Sequence, residues 1–139
     1  MSIPSARELE AQFAPIRLKE LPVDVLAAVR EHSKRMFGNQ DRLEVAVAIT
    51  RVGLGKVNAT DLHKDTDIAV NRIRAQLLAL EALGLLAKTG DENGKRMFER
   101  RDDHDRFWAF AIGEYEGVIR EHAGSPAVAD RQRATRVPS

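Results

Sequence analysis

Residues 58–101 read NATDLHKDTDIAVNRIRAQLLALEALGLLAKTGDENGKRMFERR, and their pattern decides the fold. Asn58 or Thr60 can cap a short helix whose inward anchor is Leu62. Asp67 stands where the chain must turn sharply, at a left-handed position that Gly, Asn and Asp tolerate best. Ile68 then points into the core. A longer helix follows over 69–83, where Ile73, Leu77 and Leu80 recur at spacings of four and three and so share one buried face. Gly84 ends that helix, and Leu85-Leu86 starts a strand. Segments 87–89 and 96–99 pair as an antiparallel ribbon around a polar tip, 90–95. Helix, turn, helix and ribbon predict a mainly α protein with a small β-hairpin wing, a winged helix-turn-helix. Such a motif places its second helix in the DNA major groove.

Working outward, Pro22 suits the first turn of a helix over 23–37, because its missing N–H needs no partner there. Gly38-Asn39 stops that helix. Asp41 can cap the next, 42–52, in which Leu43, Val45, Ala46, Val47, Ala48 and Ile49 are apolar nearly all round. Such a helix belongs at the centre of a domain. Gly53 and Gly55 close it, and the intervening GLGK reads as a helix terminator, too short for a phosphate loop. Downstream, His104 or Asp105 starts a last helix, 107–122, with a stripe of Trp108, Ile112, Tyr115 and Ile119 widened by Ala111 and Val118. The expected organisation is a flexible arm (1–19), a winged helix-turn-helix domain with its preceding helix (20–101), a C-terminal helix used for dimerisation (102–124) and a mobile tail (125–139) holding Arg131, Arg133 and Arg136.

Composition bounds the function. Of 139 residues, 43% are hydrophobic and 31% charged, the balance of an ordinary soluble domain. The net charge of +1 does not announce a nucleic-acid binder, so any basic surface must come from how charges are arranged. The chain has no cysteine, which excludes disulfides, thiolate metal sites and a cysteine nucleophile, and fits a cytoplasmic setting. No apolar run approaches a membrane span. The sequence carries none of the nucleotide-binding, serine-hydrolase or zinc-protease motifs, so neither an enzyme nor a cofactor is expected. Asp102, Asp103, His104, Glu121 and His122 form no compact ligand spacing, and no metal is expected.

The run DLHKDTDIAVNRIRAQLLALEALGLLAK resembles the helix-turn-helix of bacterial winged-helix regulators, especially the ArsR- and MarR-like groups. Leu62, Asp67, Ile68, Leu80, Gly84 and Leu85 fall on the positions those families share, with Ile73 and Leu77 filling the two core positions between. The resemblance covers about forty residues. It implies sequence-specific binding to double-stranded DNA in transcriptional control, with helix 69–83 in the major groove and the wing, 87–99, on the backbone or minor groove.

Carried onto this chain, the DNA-reading positions near the start of the second helix are Asn71, Arg72, Arg74 and Gln76. Arg and Asn or Gln can each make two-pronged hydrogen bonds to a base edge, so Asn71 and Arg74 are expected on bases, and Arg72 and Gln76 on bases or backbone. Lys95 and Arg96 of the wing, with Arg100 and Arg101, are expected on phosphates. Regulators of this type resemble homodimers joined by their terminal helices, which here implies an interface of Phe107, Trp108, Ile112, Tyr115 and Ile119 and a two-fold-related operator. Asp61, Asp65 and Asp67 lie close to the DNA face and would repel phosphates, and Leu78 stands off the buried stripe. These features support the alternative, a winged helix used for protein–protein contact in a regulatory or replication assembly.

Overall fold

A computed structural model describes residues 17–52, 55–101 and 105–122. After a single 3-10 turn at Leu18–Glu20, the chain forms α1 (Val23–Phe37), α2 (Arg42–Arg51), β1 (Lys56–Val57), α3 (Ala59–Thr66), α4 (Val70–Ala82), β2 (Leu86–Glu92), β3 (Lys95–Arg100) and α5 (Asp105–Glu121). The three strands are antiparallel in the order β1-β3-β2. This is the mainly α winged helix-turn-helix, with helices before and after it, that the sequence predicts.

The centre is α2. Every residue from Leu43 to Thr50 is buried, because its apolar residues encircle the helix. It packs against α1, α3, α4 and α5. Helix α5 supplies Trp108, Ala111, Ile112, Tyr115 and Val118 to the same core. A buried serine fixes the α1–α2 corner. Ser33 Oγ donates to the Asn39 carbonyl (2.6 Å) and accepts from the Leu43 amide (3.0 Å), spanning the turn made by Gly38, whose φ is +72°.

The helix-turn-helix is held by side chains bonded to backbone. Asn58 caps α3 by accepting from the Asp61 amide at 2.9 Å. Its Nδ2 also reaches Met97 Sδ at 3.7 Å, which joins the start of α3 to β3. At the turn, Asp67 adopts φ +64°, the left-handed conformation expected of it. Thr66 Oγ1 accepts from the Ile68 amide (3.1 Å), and His63 Nδ1 donates to the Ile68 carbonyl (2.7 Å). With the turn fixed this way, Ile68 enters the core and α4 leaves in a set direction.

Four expectations are corrected. The ribbon is longer than 87–89 with 96–99, and its tip is only Asn93-Gly94, with φ of +53° and +75°. A two-residue Asn-Gly turn of this hand matches the twist of the strands, so pairing continues through Glu92↔Lys95. The segment after α2 is more than a terminator, since Lys56 and Val57 pair with Glu99 and Phe98. The domain also begins earlier than residue 20. Leu18 is fully buried, and its amide donates to Asp65 Oδ1 at 3.3 Å. Asp41, finally, sits at the α2 N-cap without capping it through its side chain. Residues 1–16 of the expected arm and the whole tail, 125–139, lie outside the described residues.

Candidate nucleic-acid interface

Helix α4 divides into two faces. Ile73, Leu77 and Leu80 are fully buried and hold it against the domain. Asn71, Arg72, Arg74 and Ala75 are exposed on the outer side, with Leu78 exposed by 38%. Because three large aliphatic side chains hold the inner face against the domain, the opposite face is turned outward.

Arg74 meets the wing. A cleft of about 400 Å³ separates α4 and the start of α3 from the hairpin, and Arg74, Lys95, Arg96, Thr60 and Asp91 line it. The structure therefore brings together three of the six DNA-reading residues expected from sequence. Neither Arg74, Lys95 nor Arg96 has a salt-bridge partner among the described residues. Three cations and one carboxylate around an open cleft make a locally positive groove on a nearly neutral chain. This arrangement suits a polyanion with edges to read.

Arg72 and Gln76 are placed differently, and both belong to contacts with the start of α2. They lie one turn apart on the side of α4 that faces Asp41 and Arg42. Arg72 grips the buried Asp41 carboxylate with two nitrogens, Nε donating to Oδ2 at 3.0 Å and a terminal nitrogen to Oδ1. That bond raises the already high pKa of Arg72. Arg42 Nε donates to Gln76 Oε1 at 3.1 Å, and Gln76 is only 4% exposed. Gln76, expected on DNA, thus has its carbonyl turned into the protein. Sequence reading missed the role of Asp41 because a carboxylate just before a helix looks like a cap.

The wing expectations also change in part. Arg100 is 6% exposed, with its guanidinium 5.9 Å from the Trp108 ring centroid, so it belongs to the core margin. Lys56 pairs with Glu92 across the sheet at 2.8 Å. Two of the three aspartates near this face are partly neutralised. Asp65 pairs with Arg51 at 3.2 Å, and Asp61 with Lys64 at 4.0 Å. A second cleft, of about 510 Å³, lies between the end of α2, β1 and α3. Arg51 and Lys56, which line it, are already paired.

One acid lies deeper. Glu44 of α2 is fully buried, and Arg30 Nε donates to its Oε1 at 2.7 Å, tying α1 to α2. Its other oxygen has no partner among the described residues. Burial pushes the Glu44 carboxyl above its ordinary 4.5, and the bond from Arg30 only partly offsets this. The folded state thus holds this proton more tightly than the unfolded chain. The group's stabilising contribution is full below 4.5 and is lost as pH rises through the higher folded-state value. Glu44→Gln has no proton to lose, so its melting temperature relative to wild type should climb as pH rises from 4.5 toward neutrality. A difference that stays constant across that range in thermal melts would show that Glu44 does not titrate this way.

The structure packs most of the expected dimer stripe within its own chain. Trp108, Ile112 and Tyr115 are at most 1% exposed within a single chain. Their apolar surface packs against α1 and α2. Phe107 and Ile119 are half-buried against the core. At 100° per residue, the outer face of α5 carries Phe110, Gly113 and Gly117 instead. Phe110 is 49% exposed. Among the described residues no group of His, Asp and Glu could hold a metal ion, and Asp102, Asp103 and His104 lie outside them. No described helix is long and apolar enough to cross a membrane.

The sequence matches no family model, and no curated relative matches it. Three solved structures are similar to the chain. A MarR-family transcriptional regulator from Rhodococcus sp. RHA1 aligns with a TM-score of 0.60 at 20% identity, over 81% of this chain and 82% of that one. BpsR of Bordetella bronchiseptica, whose DNA binding is regulated by 6-hydroxynicotinic acid, aligns equally well, with a TM-score of 0.60 and 20% identity over 80% of each chain. YusO of Bacillus subtilis gives a TM-score of 0.51 at 13% identity, over 94% and 92%. What these similarities establish is the fold: the chain is a winged helix-turn-helix protein built like the MarR-family regulators.

Proposed function

We propose that this chain binds double-stranded DNA in a sequence-specific manner and acts in transcriptional control. The observation that carries the reading is the cleft between α4 and the wing, on which Arg74, Lys95 and Arg96 converge without a salt-bridge partner among the described residues. Helix α4 enters the major groove, where Asn71 and Arg74 read base edges. Lys95 and Arg96 neutralise flanking phosphates. Two structural neighbours, a transcriptional regulator and a protein with regulated DNA binding, support this reading. Such a protein works in the cytoplasm, where bacterial DNA lies.

Two copies bind together, through the outer face of α5 rather than its buried stripe. Phe110 is the large apolar residue on that face, and a Cβ added at Gly113 or Gly117 would meet nothing within 4 Å, so a second helix can approach closely. Phe110→Glu should convert a dimer to a monomer in sedimentation without loss of helical signal. An unchanged mass would move the interface elsewhere.

The second reading is a protein-interaction module, favoured by Leu78 on α4 and Leu83 at its C-terminal cap, exposed by 38% and 61%. Salt separates the two. Neutralising Z phosphates releases counterions, so log K against log salt should fall with a slope of about −0.9Z on duplex DNA. With Lys95 and Arg96 on phosphates in each copy, a slope of about −2 per protomer is expected. No binding to duplex at low salt would leave the protein-interaction reading standing.

A further inference from the structure

Arg72 is an exposed cation beside the proposed DNA surface, yet it is held from behind. Its side chain is 44% exposed, while the carboxylate that grips it is 7% exposed and rooted at the start of the central helix. Arg42 and Gln76 make the matching contact one turn further along α4. The two contacts together fix how α4 is rotated about its own axis against α2. Apolar packing alone sets the inward stripe, but it tolerates small rotations, whereas two polar contacts at defined distances do not.

We infer that Asp41 is a specificity-determining residue that never touches DNA: it withholds Arg72 from the phosphates and sets the rotation at which α4 presents Asn71 and Arg74. This rests on the DNA-binding reading above. A free arginine at this place would attach to any sequence, since phosphate contacts carry no base information. Paired with Asp41, Arg72 adds little to random binding, and the contacts left to α4 are those that discriminate between bases. The acid that looks unfavourable near DNA thus lowers background binding. Glu44 adds to the negative field at Arg72 from one turn deeper in α2.

The test compares wild type, Asp41→Asn, Arg72→Gln and the double variant, each on a random-sequence duplex over a salt series. Each is also measured on the best-bound sequence recovered by selection. Asp41→Asn keeps the shape and removes the charge. It should bind random duplex more tightly, with a salt slope steeper by about 0.9 per protomer, and its ratio of specific to random affinity should fall. Arg72→Gln alone should keep the wild-type slope. The double variant should lose the extra slope, which a merely structural effect of Asp41→Asn would not reproduce. A slope that becomes shallower by about 0.9 in Arg72→Gln, with Asp41→Asn unchanged, means that Arg72 already lies on phosphate and overturns the inference. In that case wild-type DNA binding is intact. Absence of any wild-type binding overturns the DNA-binding reading and this inference together.

Discussion

Trp108→Ala is expected to lower the stability of the protein by about 3–5 kcal/mol, the largest effect of any single substitution considered. Trp108 is the only tryptophan and is fully buried. Its ring meets Phe107 edge-on at 4.9 Å, and it packs with Ile112 and Tyr115 where α5 crosses the central helix. Removing the indole leaves a void that the stiff surroundings, α1 and α2, cannot fill. Its Nε1 has no hydrogen-bond partner among the described residues, so the loss is one of packing rather than of a polar contact. Domains of this kind have only about 5–15 kcal/mol to lose, so the variant should be partly unfolded under mild urea. Urea titration followed by circular dichroism measures this, since the variant has no tryptophan fluorescence. A loss below about 1 kcal/mol would mean that α5 is not part of the core.

The second large effect falls on binding. Arg74→Ala should weaken specific DNA affinity by about 1–3 kcal/mol, roughly fivefold to 150-fold, and relax the preference at one base position. Arg74 is exposed, so its removal should leave the melting temperature nearly unchanged. Its position argues for a direct role. It lies one residue past Ile73, which anchors the helix, and faces the cleft that also holds Lys95 and Arg96. An unchanged affinity for the selected sequence would remove Arg74 from base reading. Loss of affinity equal on all sequences would reassign it to the backbone.

Much of the fold is legible because periodicity and turn chemistry agree. Ile73, Leu77 and Leu80 occupy one face at helical spacing, Asp67 supplies the left-handed turn, and α1 spans the expected 23–37. What escaped reading depends on tertiary contact. Two residues, Lys56 and Val57, are too few to show alternation, and they become a strand only because β3 lies alongside. The wing outran its expected ends because Asn93-Gly94 makes a tighter tip than the polar run suggested.

At the candidate site, Arg74, Lys95 and Arg96 could be chosen from their charge and place in the motif. Arg72 and Gln76 carry the same signal but turn toward Asp41 and Arg42, about thirty residues away in sequence. Nothing local distinguishes them from Arg74. One clue was present. Glu44 is the lone acid within the apolar run of α2, and a charge there had to find a buried partner. The stripe of Trp108, Ile112 and Tyr115 carries a similar ambiguity, since an apolar face on a terminal helix looks the same whether it meets its own core or another chain.

The most direct test of the account is to incubate the protein with random genomic duplex fragments over a salt series, recover those bound and sequence them. The account predicts one enriched motif with two-fold-related halves, retained at moderate salt and released steeply as salt rises. Failure to retain any duplex, even at low salt, would contradict it.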